Sequence, residues 1–186
     1  MHLSTGIEVC MPYAWGMDAD ADVAGVAEAM EVLCLIAQPR PVRSLRQSQQ
    51  AQALRFARTC YDHLAGAVGV AVTDALVRTA ALWPIGGRDY DLTAHGEQLL
   101  GGLGVDVAGL RRQHRAFARR CLDWTERSPH LSGALGAALL ACLLDLGWLV
   151  GGRVPRGLVL TGAGRDGLVR AFGCDAAALQ DQATGG

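Results

Sequence analysis

Cys60 and His63 stand three residues apart, and Cys121, Asp123 and His130 form a second group further along the chain. Thiolate sulfur and imidazole nitrogen are the preferred ligands of thiophilic divalent ions, and four such groups can close a tetrahedral site. Read as helical, Cys60 and His63 share one face and supply half of such a site. Cys121, Asp123 and His130 are available to complete it. The candidate metal ligands are Cys60, His63, Cys121 and His130, and the candidate ion is a thiophilic divalent metal. The same residues also allow a plainer role, with Cys60 and Cys121 as small core residues behind Phe56 and Phe117. A nucleophilic Cys60 activated by His63 lacks a visible third group to orient the imidazole.

Other motifs carry less. "GAGRDG" at 162–167 fits G-x-G-x-x-G, but only 19 residues follow Gly167, too few for the second strand of a dinucleotide unit. It reads as a helix-entry turn. Asp18, Asp20 and Asp22 begin like a calcium loop, yet Val23 replaces the required glycine and Ala29 the closing glutamate. They read instead as the acidic start of a helix that Pro39 and Pro41 end. Without paired catalytic carboxylates, an HExxH, a P-loop or a nucleophile elbow, nothing argues for an enzyme.

The elements around these residues come in two copies. Phe56-Ala57-Arg58, Cys60 and Asp62 match Phe117-Ala118-Arg119, Cys121 and Asp123. After an insertion ahead of His130, His63-Leu64, Gly66-Ala67 and Gly69 match His130-Leu131, Gly133-Ala134 and Gly136. "YDLTAHG" (90–96) then matches "LVLTGAG" (158–164), and "LGVDVAGL" (103–110) matches "FGCDAAAL" (172–179). Each copy reads as an Arg-bearing helix, a turn, an apolar helix, a glycine hairpin and a strand ending in Leu-Thr. Thr93 and Thr161 are natural N-caps for a last helix. Helix, turn, helix and ribbon is the order of a winged helix. The expected fold is therefore mostly α with short β-hairpins, built as two tandem degenerate winged-helix units plus an N-terminal helix. The expected segments are an irregular 1–17, a helical dimerisation and linker segment 18–58, a first unit 59–110, an Arg-rich connecting helix 111–128, a second unit 129–179 and a tail 180–186.

The apolar helices of both units suit burial rather than base reading. "GALGAALLACLLDLGWL" offers only Asp145 as a strong polar group, and the first copy offers Thr73, Asp74 and Arg78. Arginines cluster instead at 40–58 and 111–127. On a helix, Leu110, Phe117, Cys121 and Trp124 would form one stripe, with Arg111, Arg112, Arg115, Arg119 and Arg120 around it. Arg111, Arg112, Arg115 and Arg119 are the candidate DNA or phosphate contacts; the competing reading is a solvated face with carboxylate partners.

Bulk composition bounds these readings. The chain has 186 residues, 51% of them hydrophobic and 5% aromatic, so its core is aliphatic. All 17 basic residues are arginine, and the net charge of −1 does not itself suggest a nucleic-acid glove. Six scattered cysteines without a CxxC indicate neither a disulfide scaffold nor a zinc ribbon, and a cytoplasmic location is expected. The apolar run 131–152 is long enough for a bilayer, but its twin at 64–85 carries Asp74 and Arg78, so both are expected to be buried helices without membrane contact.

"ARTCYDHLAG", "CLDWTERSPHLSGALGAALL", "LGWL" and the LTxxG turns resemble the C-terminal half of longer ArsR/SmtB-type transcriptional regulators, over roughly residues 18–179. The resemblance implies a homodimer, operator DNA as partner and release by a metal or other effector. In such regulators the DNA-reading winged helix precedes this region, whereas only about 17 residues precede the matching part here. The family's cysteine pair on a recognition helix is absent as well. The chain is therefore expected mainly to supply dimerisation and effector response. The alternative is a small-molecule or metal-binding module that does not itself bind DNA.

Overall fold

The computed structural model describes Leu33, residues 44–175 and residues 177–179. The chain divides into two compact units, residues 1–36 and 37–186. In the first, only Leu33 is described, and it is helical. The irregular start 1–17, the rest of the helix expected before Pro39 and the tail 180–186 lie outside the described residues.

In the second unit, α1 (Leu45–Phe56) leads into a hairpin of β1 (Arg58–Cys60) and β2 (His63–Ala65). Helix α2 (Ala67–Arg78), a hairpin of β3 (Leu82–Ile85) and β4 (Asp89–Leu92), and helices α3 (Ala94–Gly102) and α4 (Val107–Arg111) follow. The order then repeats as β5 (Arg119–Leu122), β6 (Pro129–Ser132), α5 (Gly133–Asp145), β7 (Leu149–Gly151), β8 (Leu158–Leu160) and α6 (Gly162–Phe172). The architecture is mixed α/β rather than mostly α.

This corrects the expected start of each repeat. A hairpin, not a helix, opens both copies, so neither builds the helix–turn–helix of a winged helix at that place. The Arg-rich connecting helix over 111–128 is likewise replaced: α4 ends at Arg111 and β5 begins at Arg119. The physical reason is pairing between distant segments. The Thr59 N–H donates to the Arg156 carbonyl at 2.8 Å and the Leu158 N–H to that of Ala57 at 2.9 Å. In the second copy the Tyr90 N–H donates to Ala118 O at 3.1 Å and the Arg120 N–H to Arg88 O at 2.8 Å. The opening strand of each copy is thus held by the second hairpin of the other, a tertiary override of local helical pattern.

The exchange extends to the helices. α2 packs on β6, α5 packs on β2, and β2 and β6 lie against one another. The Leu131 N–H of β6 donates to Thr73 Oγ1 of α2 at 2.9 Å. One aliphatic core joins both copies, including Val68, Leu76, Leu82, Leu135, Leu143 and Phe172. Both apolar helices are buried as their sequences suggest, with Val68, Val72 and Leu76 of α2 and Leu135, Leu139 and Leu143 of α5 turned inward. None of the described helices is long and apolar enough to cross a membrane.

The repeated residues explain the repeated shape. Gly66 and Gly133 enter their helices at φ +81° and +80°, where a Cβ would meet the carbonyls of Arg55 and Phe56 or of Ala116 and Phe117. Only glycine tolerates both that conformation and that approach. Thr93 and Thr161 cap α3 and α6 by accepting from the Gly96 and Gly164 N–H groups at 3.1 and 2.9 Å.

Candidate metal centre

The hairpins, not a shared helix face, bring the four candidate ligands together. In β1–β2, Cys60 lies directly opposite His63, and in β5–β6, Cys121 lies directly opposite His130. Cross-strand partners point to the same face of a sheet. Each hairpin therefore presents one thiol and one imidazole, and the contact of β2 with β6 turns these faces toward each other. One donor atom from each of Cys60, His63, Cys121 and His130 lies within 4.8 Å of all the others. His63 Nε2 and His130 Nε2 are 3.1 Å apart.

These spacings fit a tetrahedral ion. Metal–sulfur and metal–nitrogen bonds of about 2.3 and 2.0–2.1 Å put the donors of a zinc site about 3.3–3.8 Å apart. Small side-chain movements separate the present tetrad from that arrangement. His63 and His130 are buried, and both thiols are half-buried. Hydrogen bonds from Cys121, His130 and His63 hold the Cys60 thiol far below the usual thiol range, against the opposing effect of burial. The tetrad thus favours a thiolate, the ligand form of cysteine.

A carboxylate stands behind each imidazole. His63 Nδ1 is 3.2 Å from Asp62 Oδ1, and His130 Nδ1 is 3.4 Å from Asp123 Oδ2. A carboxylate that accepts from Nδ1–H leaves Nε2 free to coordinate, as at His63, whereas Nδ1 of His130 makes no hydrogen bond. Asp62 also accepts from Arg115 Nη1 at 2.7 Å. Burial pushes the Asp62 pKa up, but the hydrogen bonds from Arg115 and His63 outweigh it and hold it low.

Asp123 is far more enclosed. Both its oxygens accept from Arg58 Nη2, at 2.9 and 2.8 Å. It also accepts from the Gly66 N–H at 2.7 Å, the Thr125 N–H and hydroxyl at 2.9 and 2.7 Å, and the Glu126 N–H at 3.1 Å. Burial alone would raise its pKa, but the donors from Thr125, Arg58 and Gly66 hold it well below the carboxylate range. Arg58 is itself buried and lies over the Trp124 ring, 4.7 Å from its centroid. Sequence reasoning grouped Asp123 with possible ligands; here it lies beside the candidate ligand His130 without a hydrogen bond to it, and anchors the two copies together. It assigned no role to Asp62 and placed Arg58 on a helix. The repeat did carry a signal for both carboxylates, since each lies two residues after its cysteine.

The candidate phosphate contacts do not share a helix. Arg111 ends α4, donates to Glu97 Oε1 at 2.9 Å and covers the Phe117 ring at 4.4 Å. Arg112 is the exposed C-cap of the same helix. Arg115 is paired with Asp62 at 2.7 Å, and Arg119, on β5, lies 3.4 Å from Asp89. Three of the four thus have carboxylate partners.

The chain is 42% identical over 147 residues to a Bacillus subtilis (strain 168) protein named "Uncharacterized HTH-type transcriptional regulator YdfF". The match covers 79% of this chain and 63% of that relative's length. No protein-family profile matches the chain. No solved structure matches it either.

Proposed function

We propose that this chain is the effector-responsive part of an ArsR-like transcriptional regulator, working as a homodimer on operator DNA. Its effector is a thiophilic divalent ion such as cadmium, lead or zinc, held by Cys60, His63, Cys121 and His130. The tetrad carries this reading: two thiols and two imidazoles from two hairpins, with all donor atoms within 4.8 Å. The regulator class is supported by the likeness to a relative named as an HTH-type transcriptional regulator. That likeness also speaks against an enzyme.

The ion would be closed in by four protein ligands, as in structural sites, with no position left for a reacting water. Its ligands come from both copies, so binding would draw the two hairpins together. Thiol and imidazole donors bind an ion only once their donor atoms carry no proton, so affinity rises with pH.

Titration of the metal-free chain with cadmium, followed by thiolate-to-metal absorption, tests the site. The expected result is one ion per chain, with the signal lost in Cys60→Ser and Cys121→Ser. Uptake that survives both substitutions, or no uptake, removes the metal reading.

A second reading has its own observation. Arg111, Arg115 and Arg119 are paired with carboxylates, and α2 and α5 are buried, which favours a binding module that does not itself touch DNA. Fluorescence anisotropy with the DNA upstream of the gene separates the two. Metal-sensitive binding supports the regulator; metal uptake without DNA binding supports the module.

A further inference from the structure

A neutral imidazole coordinates through one nitrogen and carries its proton on the other, and the group beside the second nitrogen fixes which is which. His63 meets this requirement within its own hairpin. Asp62 Oδ1 lies 3.2 Å from Nδ1, while Nε2 faces His130 Nε2 at 3.1 Å. The second oxygen of Asp62 is held by Arg115 Nη1 at 2.7 Å, which fixes the carboxylate in orientation. The turn that allows this is strained: Tyr61, between Cys60 and Asp62, has φ 60° and is 80% exposed. A bulky residue in the left-handed region that contributes little packing marks a turn whose geometry matters more than its side chain.

The other carboxylate is differently committed. Asp123 is filled by donors from Arg58, Gly66, Thr125 and Glu126, and the buried Nδ1 of His130 makes no hydrogen bond. Removing Asp123 would loosen the fold and the site together. Removing Asp62 would touch little except His63 and the exposed Arg115 ion pair.

We propose that Asp62, held by Arg115, is a positioning residue of the metal centre: it fixes the His63 tautomer and ring and thereby sets affinity. This rests on the metal-binding reading of the same tetrad.

Cadmium affinity is measured by chelator competition, beside the urea midpoint of the metal-free chain and the ¹⁵N chemical shifts of the His63 ring. Asp62→Ala is expected to weaken binding about 10- to 100-fold, the range for lost partners behind a metal-bound histidine. Its urea midpoint stays put, and the Nδ1-protonated signature of His63 is lost. Asp62→Glu restores most of the affinity, and Arg115→Gln gives a smaller loss of the same kind. Unchanged affinity in Asp62→Ala overturns the proposal while leaving the metal site intact. So does a loss that tracks a falling urea midpoint with the His63 signature unchanged. A wild-type chain that takes up no cadmium overturns both readings.

Discussion

The two hairpins that form the centre start from one sequence and end in different energetic roles. In the first, Cys60 and His63 are joined by Tyr61 and Asp62 alone, and Asp62 pairs with Arg115 where water reaches both. In the second, the inserted residues wrap around Asp123: the Asp123 N–H donates to Ser128 O at 2.9 Å and the Arg127 N–H to Asp123 O at 2.8 Å. That loop, together with Arg58 from the other copy, buries Asp123 completely. The chemistry offered to an ion is the same from both sides, one thiol and one Nε2. The surrounding dielectric is not, and it decides which carboxylate holds the fold and which tunes a ligand.

The sharpest test of this contrast is to remove one charge from each side. Asp123→Asn should lower the unfolding free energy of the metal-free chain by about 3–5 kcal/mol, because Arg58 is left buried without its counter-charge. The sign with pH follows from the depressed Asp123 pKa. Its contribution is complete above the ordinary carboxyl value of about 3.9 and is lost as pH falls below it. Acid unfolding should therefore be flatter in Asp123→Asn than in wild type. Equal costs for Asp123→Asn and Asp62→Asn in urea melts would abolish the distinction.

A glycine pair sharpens it next. In Gly69→Ala the new methyl would meet Leu64 O at 2.6 Å, within the same copy. In Gly136→Ala it would meet Leu131 O at 2.5 Å and His63 Cβ, across the centre, at 3.3 Å. Both should cost about 1–3 kcal/mol by overpacking. Only Gly136→Ala should also weaken cadmium binding, and equal affinities in the two variants would count against the interleaved packing.

The copies differ again where Val105 corresponds to Cys174. Burial pushes the Cys174 thiol from its ordinary 9.0 up to about 11. A raised pKa means that the folded state keeps the proton longer. Stability is thus intact below about pH 9 and falls as pH rises toward 11, by up to about 3 kcal/mol. Cys174→Val, which copies the first repeat, should flatten thermal melts across that window; an unchanged alkaline slope would refute it. The smallest effect is expected for Arg115→Gln, whose half-exposed ion pair is worth under about 1 kcal/mol to folding. A larger fall in its urea midpoint would mean that the first-half carboxylate anchors the fold as well.

Much of this was legible in residue order because glycine, threonine and apolar spacing act locally. Gly66 and Gly133 announce a backbone that tolerates no Cβ, Thr93 and Thr161 announce helix caps, and the Leu- and Ala-rich runs announce buried helices. The four donors were legible too, since Cys and His recur at matching places. The secondary structure around them was not. Arg58–Cys60 and Arg119–Leu122 have a helix-compatible pattern, and nothing within a few residues opposes it. Asp62 and Arg58 escaped notice because their partners, Arg115 and Asp123, lie far away in sequence.

The sequence by itself determined that the chain is a duplication, where its turns and caps fall, which helices are buried, and which two thiols and two imidazoles are on offer. Tertiary structure alone decided that both copies open as strands and that each copy's opening strand is held by the other's second hairpin. It also decided that the four donors converge on one point. Helix caps and glycine turns are satisfied within a few residues, so local sequence suffices for them. A strand needs partners on both edges: β1 and β5 take one from their own hairpin and the other from the opposite copy, far away in sequence.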